Sequence, residues 1–248
     1  VRFSIVGVQE RRLSITAFRL VAAPRAHPPV LRANRAECFS NMRSLQAGYN
    51  LSVSDRDGQL PSSDTGPAYG LNNSNDWWVS AQRIDVGAVW PYVRSAKAYT
   101  CPSYPRPARF FLKRHFSLSV RIGSRAGGVD DALRRYSEVF SPARTHVFIE
   151  EYDNRSEAIG PSPGALDGYV VARDGRWVDC PPVWHDMGAQ FTYLDGHAEF
   201  RSWVGPKMRT VDVYEWFYSQ NSQYWPTTPK DTEDWKWMLD GVLNAYPR

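Results

Sequence analysis

The segment from Val30 to Val53 constrains the fold most, because it is the longest stretch of the chain with helical periodicity. Apolar side chains recur along it three and four positions apart, as on the buried face of an amphipathic helix. The helix is predicted to end in the sequence that follows, since Asp57-Gly58 and Pro61 terminate regular structure. A helix of this kind has to bury its apolar face against another layer.

Short strand patterns dominate the rest of the chain. Alternation and β-branched residues favour strands or hairpins over 110–123, 145–153, 168–180 and 189–203. Both hairpins carry Asp-Gly at the tip, which predicts two-residue type I′ turns. Shorter helices are predicted over 85–94, over 130–139 and near the C-terminus over 232–246. This order of elements predicts an α+β fold, in which the long helix packs on an antiparallel sheet with irregular inserts.

The first residues form a separate region. Residues 1–23 contain two apolar runs that favour strands, and the sequence PRAHPP then breaks regular structure and reads as a linker. We therefore divide the chain into an N-terminal segment, 1–30, and a globular domain, 31–248. The domain comprises a helix over 31–53, a sheet region over about 85–204 and an aromatic tail over 205–248.

Composition excludes several classes of function. The net charge of +4 is too small, and the arginines of the chain are too scattered, to indicate nucleic-acid binding. No run of 18 apolar residues is present, so no membrane span is predicted. Charged residues such as Glu10 and Arg19 interrupt the N-terminal apolar runs, so the pattern is not that of a signal peptide.

Catalytic interpretations compete with structural ones at His185, Asp195 and Gly196. A metal or acid–base site would need His185 and Asp195 to converge, but Asp195-Gly196 is explained by a hairpin turn, whose tip points away from its base. A nucleophilic pair of Cys101 and His185 is disfavoured, since Pro102 and the prolines after it explain this segment as a turn and no oxyanion-hole motif accompanies it. Because turns explain these residues, we predict that the chain is not an enzyme.

Metal sites are also disfavoured by spacing. The three cysteines form no Cys-x-x-Cys pair, which argues against a structural zinc site. Asp55 and Asp57 resemble the start of a calcium-binding loop, but Gly66 stands where an EF-hand needs glutamate. We therefore predict no cofactor. The alternative is a calcium ion bound at Asp55 and Asp57.

Four patches together resemble the bacterial prepilin-like family with a C-terminal His-x9-Asp-Gly signature. The first resembles the family's Cys-x-Ser-Asn-Leu-Arg-Gln-Leu helix with its following Asp-x-Asp-Gly-x-x-Pro, the second its Cys-Pro-Ser segment, and the third its Phe-x-Asp-Glu strand. The fourth, WHDMGAQFTYLDGHAEFRSW, holds the signature as His185, Asp195 and Gly196. In order, the patches are 33–61, 87–105, 142–153 and 184–203.

The resemblance implies a type IV pilin-like or pseudopilin-like fold at the bacterial surface or outside the cell, without catalysis. It also implies a structural role, with copies of the chain polymerising through their N-terminal segments. Cys38 and Cys101 lie in matching patches and Cys180 does not, so a Cys38–Cys101 disulfide is predicted, with Cys101–Cys180 as the alternative. Such a bond should stabilise the fold by roughly 4 kcal/mol.

The N-terminus departs from the family, which has an unbroken apolar helix with glutamate as the fifth mature residue. Here that position is Ile5 and charges interrupt the apolar runs. The departure leaves two interpretations: either assembly uses strand addition instead of a helical core, with main-chain hydrogen bonds joining an extended segment to a neighbour's sheet edge, or residues 1–32 differ from the native sequence. The apolar residues expected to carry the contact are Phe3, Ile5, Val6, Val8, Ile15 and Phe18.

A second hypothesis is a secreted monomeric module that binds glycans. Tryptophans stack on sugars when exposed, but they bury equally well at subunit contacts. The candidates are Trp77, Trp78, Trp225, Trp235 and Trp237. An enzyme using His185 and Asp195 is the third hypothesis.

Overall fold

The structure is a computed structural model that describes residues 29–63, 78–79, 84–104, 114–123, 132–150, 182–210 and 226–243. Several sequence predictions fall outside these ranges. They are the strands of 1–23 with the six assembly residues Phe3, Ile5, Val6, Val8, Ile15 and Phe18, the hairpin at 168–180, and Cys180.

The predicted long helix is present as α1, Pro29–Asp55. Its apolar stripe is fully buried at Met42, Leu45 and Tyr49. The helix ends as expected at Asp57-Gly58: Asp57 takes the left-handed conformation (φ 51°), and the Gly58 amide donates to the Val53 carbonyl at 2.9 Å. This bonding closes the last turn of the helix in the manner of a Schellman cap.

Four antiparallel strands form one sheet in the order β1-β2-β3-β4, so the α+β prediction is confirmed at this level. The strands are β1 Phe116–Leu118, β2 His146–Glu150, β3 Gly188–Tyr193 and β4 Ala198–Ser202. The short helices are α2 Trp90–Val93 and α3 Pro206–Thr210, and the C-terminal helix α4 spans Pro229–Leu243. Among the described helices, none has the length and hydropathy needed to cross a membrane.

The helix predicted over 130–139 is wrong in its described part. A 3-10 turn covers only Tyr136–Glu138, and the residues before it are extended. Leu133 bridges Ile122, and Arg135 bridges Gln59. Pairing with distant backbone has therefore overridden the local helical preference of this segment.

The β3–β4 hairpin is confirmed, but its turn differs from the predicted type I′. Tyr193 and His197 still pair, through a 2.9 Å bond from the Tyr193 amide to the His197 carbonyl, so the loop has three residues rather than two. Within this loop, only Gly196 has a positive φ angle (101°). A three-residue loop with glycine in its last position satisfies the turn without a left-handed Asp195.

Helices cover both faces of the sheet. On one face, Gln190 and Thr192 of β3 bond to α1, through the Arg35 carbonyl at 3.0 Å and the Gln46 side chain at 2.7 Å. On the other face, Phe191 packs against Trp237 of α4. This second layer explains why all of β3 is buried. The sequence predicts only that the long helix packs on the sheet, so the second layer is a finding of the structure.

Gly241 marks a close approach between α4 and the sheet. A Cβ atom here would overlap the imidazole ring of buried His146 in β2. We expect Gly241→Ala to lower the free energy of unfolding by about 2 kcal/mol through overpacking. In an open helix the same change would raise it by about 1 kcal/mol.

Urea denaturation of the purified variants measures this difference. Lys236→Ala on the exposed side of α4 is the control, and we expect it to change stability by less than about 0.5 kcal/mol. A Gly241→Ala protein as stable as the wild type would show that α4 does not approach His146 this closely.

Candidate metal centre

Four side chains that bear metal-ligating atoms meet in the core. Cys38, Cys101, Glu150 and His185 each offer one donor atom, and these atoms all lie within 4.8 Å of one another. All four residues are buried, with at most 2% of any of them exposed. In the described part of the chain this is the one cluster of its kind.

Four separate elements supply these residues. Cys38 is the first buried residue of α1, Cys101 follows the 3-10 turn Ala96–Tyr99, Glu150 ends β2, and His185 lies in the turn before β3. Along the chain, Cys38 and Glu150 are 112 positions apart, and Cys101 and His185 are 84 apart. Only the packing of α1 and the loops on the sheet brings them together.

Short polar contacts join the four side chains. The Cys38 thiol donates to Glu150 Oε1 at 2.8 Å, and His185 Nε2 lies 2.9 Å from the same oxygen. Cys101 Sγ lies 3.2 Å from His185 Nε2. Glu150 Oε1 thus contacts Cys38 and His185, and His185 Nε2 also contacts Cys101.

Hydrogen bonds from backbone amides hold two members of the cluster in place. The Gln190 amide donates to Glu150 Oε2 at 3.1 Å, which holds the carboxylate so that Oε1 faces the cluster. The Cys101 amide donates to His115 Nδ1 at 2.8 Å. Such outer contacts fix the direction of donor atoms, as the surroundings of metal ligands do.

Burial and mutual contact shift the ionisation of the cluster. Burial raises the pKa of Cys38, and contacts with Cys101 and Glu150 raise it further. Burial alone would raise the pKa of Cys101, but its bonds to Cys38 and His185 lower it. Burial alone would lower the pKa of His185, yet bonds to Cys101 and Glu150 raise it to about 9. Cys101 is thus the more acidic thiol, and the imidazole holds its proton at neutral pH.

The structure separates the residues of the His-x9-Asp-Gly signature. His185 is buried in the cluster, whereas Asp195 lies at the exposed hairpin tip and bonds to His197 Nδ1 at 2.6 Å. Gly196 provides the left-handed turn position. Asp195 and Gly196 therefore lie in a hairpin turn, as the hairpin interpretation predicts. His185 instead lies in a buried cluster that the sequence did not reveal.

The predicted Cys38–Cys101 disulfide is absent from the described structure, in which both residues are free thiols. The Cys38 sulfur points to Glu150, and the Cys101 sulfur faces His185. The two cysteines are neighbours within the cluster, but each sulfur contacts a polar side chain and neither forms a disulfide. The alternative partner, Cys180, lies outside the described residues.

Asp55 and Asp57, the calcium alternative, join no metal-ligating cluster among the described residues. Asp55 instead accepts a hydrogen bond from the Tyr92 hydroxyl at 2.7 Å. Asp57 serves as the left-handed residue after α1, and its carbonyl accepts from Arg135. Both aspartates thus have structural roles at the end of the helix.

Sequence reasoning missed Glu150 and assigned His185 to a hairpin base. A usable signal was present, because each of the four family-like patches contributes one member of the cluster. The patch 33–61 holds Cys38, 87–105 holds Cys101, 142–153 holds Glu150 and 184–203 holds His185. The resemblance and the cluster therefore draw on the same four segments.

A cleft of about 560 Å³ lies beside the cluster. The exposed start of α1 and the turn before β3 form its walls, and His185 is the cluster member that lines it. Comparisons with protein-family models, curated proteins and solved structures found no match to this chain. Its function is therefore inferred from its own geometry and from the residues that carry the resemblance.

Proposed function

We propose that this chain is a structural subunit of an extracellular pilus-like filament, which assembles by homopolymerisation through its N-terminal segment. The start of α1 carries this proposal. From Val30 to Glu37 no residue is buried, and the first core side chain of the helix is that of Cys38. Val30 and Leu31 are 65% and 44% exposed. Two adjacent, exposed apolar residues at the start of the helix favour burial against a neighbour.

The arrangement of the head supports the same role. A long N-terminal helix on an antiparallel sheet is the architecture that the resemblance to prepilin-like proteins implies. Among the described strands, β1 and β4 are the sheet edges, and β4 is only partly buried whereas β1 is fully buried. Strand β4 is thus the better acceptor for an added strand from another subunit.

Glycan binding has less support. Trp78 is fully buried and Trp235 is 8% exposed, so neither offers a flat face to a sugar. Trp237 packs against Phe191 and Trp203. The two other candidate tryptophans, Trp77 and Trp225, lie outside the described residues.

The proposal includes no catalytic activity and places the chain at the cell surface. The Cys101–His185 pair, which resembles a nucleophile and base, is inside the core with at most 2% of either residue exposed. A substrate would need access to the sulfur, and burial of both side chains denies it. This favours a structural use of the cluster.

Electron microscopy of the purified full-length chain at high concentration tests the proposal, and we expect filaments. The double variant Val30→Asp/Leu31→Asp should lose most of them, because it places charge on the apolar contact. Phe140→Asp is the matched control, since Phe140 is an exposed apolar residue (69%) that is not part of α1. A full-length protein that stays monomeric by light scattering would contradict the proposal.

A further inference from the structure

We propose that Cys38, Cys101, Glu150 and His185 bind one zinc ion, which fastens α1 and two loops to the sheet. The inference is independent of filament formation, since it concerns the core of a single subunit. It rests on the identity of the donors, their spacing, their burial and the elements from which they come.

The donor set suits zinc. Two thiolates, an imidazole nitrogen and a carboxylate oxygen are the ligand types that zinc takes in four-coordinate protein sites. Calcium and magnesium prefer oxygen alone, so the sulfurs of Cys38 and Cys101 exclude them as natural occupants. Four protein donors also match a closed structural site, in which no position is left for substrate.

Three of the separations between donor atoms are somewhat shorter than in a tetrahedral zinc site, and all four atoms lie within 4.8 Å of one another. A tetrahedral zinc ion with bonds of about 2.0–2.3 Å holds neighbouring donor atoms roughly 3.3–3.8 Å apart. The measured separations are 2.8 Å from Cys38 to Glu150, 2.9 Å from His185 to Glu150 and 3.2 Å from Cys101 to His185. Side-chain movements of about half an ångström would admit the ion, within what terminal rotations of these side chains allow.

In the zinc-bound state, bonds to the ion would replace the hydrogen bonds that join the four side chains. Zinc binds thiolates and a neutral imidazole, so binding would release the protons that these groups carry, and the dication would offset the thiolate charge. The Gln190 amide keeps Glu150 Oε2 occupied, so Oε1 is the oxygen available to the metal. This is the outer-shell support that ligating carboxylates have in known metal sites.

The position of the cluster explains what the ion would do. Its ligands come from α1, from the loop after the 3-10 turn, from the end of β2 and from the turn before β3. One ion would therefore close several long loops at once, and it would anchor α1 at the point where the helix enters the core. The cleft lined by His185 offers the ion a path of entry.

A Cys38–Cys101 disulfide is the competing state of this cluster. It would join the two sulfurs and leave Glu150 and His185 to pair with each other. The disulfide and the zinc site exclude one another, because oxidised sulfurs do not ligate the ion as thiolates. Metal content and thiol state therefore decide between them.

The test uses the full chain, reduced, loaded with zinc and dialysed. Mass spectrometry of the metal should find about one zinc per chain. His185→Gln should lose at least about nine-tenths of the bound zinc, since ligand replacement removes a quarter of the coordination shell. The matched control His197→Gln alters the exposed histidine of the hairpin tip and should keep the full amount. Equal loss in both variants would overturn the proposal, because it would indicate surface binding.

Two further measurements hold even if His185→Gln folds poorly. Cobalt loaded into the wild-type chain should give the sulfur-to-metal charge-transfer absorption and intense visible bands of a tetrahedral thiolate site. Removing zinc with a chelator should lower the melting temperature by roughly 10 °C. A reduced chain that takes up less than about a tenth of an equivalent of zinc, or that melts at the same temperature after chelation, would overturn the proposal.

Discussion

Deleting residues 1–23 is expected to leave a folded head that forms no filaments. The first core side chain of the described structure is that of Cys38, so the deletion removes no residue of the described core. It does remove the apolar runs with all six predicted assembly residues: Phe3, Ile5, Val6, Val8, Ile15 and Phe18. The Pro-rich sequence after them is typical of a stiff spacer, and such a spacer would favour docking on a neighbour over folding back.

Electron microscopy and light scattering of the truncated and full-length chains measure this loss. Circular dichroism and thermal melting provide the control, because the truncated head should keep its secondary structure and a cooperative transition. Truncated protein that still forms normal filaments would show that assembly does not depend on this segment. That result would leave the zinc proposal intact, since its four ligands all lie within the head.

Phe148→Ala is expected to lower the free energy of unfolding by about 3–5 kcal/mol, the largest loss from a single substitution that we predict. Phe148 lies on β2 and is fully buried. Its ring meets Tyr49 of α1 edge-on, with centroids 5.8 Å apart, and Trp78 with centroids 5.1 Å apart. Removing the ring leaves a cavity at the contact between α1 and the sheet.

The matched control is Phe140→Ala, which deletes the same ring from a side chain that is 69% exposed. We expect this control to change stability by less than about 0.5 kcal/mol. Urea denaturation followed by tryptophan fluorescence compares the two variants. Similar losses in both, or none in Phe148→Ala, would mean that the ring of Phe148 does not join α1 to the sheet.

Local sequence patterns were sufficient for elements whose stability is local. The apolar repeat of α1 has one interpretation over its length, and the Asp-Gly turn defines the β3–β4 hairpin between neighbouring strands. The C-terminal helix α4 was also predicted from its own pattern. Composition and element order then led to the α+β class, which the helix and antiparallel sheet confirm.

Predictions were wrong where distant backbone decides the conformation. The segment 130–139 has helical preferences, but Leu133 bridges Ile122 and Arg135 bridges the distant Gln59. Propensity differs between conformations by a few tenths of a kcal/mol per residue, which such pairing readily exceeds. The turn at Asp195-Gly196 likewise follows the pairing of Tyr193 with His197, which sets the loop length.

By itself the sequence determined the long helix α1, the C-terminal helix α4 and the β3–β4 hairpin, because periodicity and turn chemistry act between near neighbours. Only the tertiary structure brought Cys38, Cys101, Glu150 and His185 together, since they come from four separate elements. Sequence rules for zinc depend on short cysteine spacings, which this chain lacks. The cluster exists because α1 lies across the sheet and presents its first buried residue to the end of β2, and no local pattern encodes that crossing.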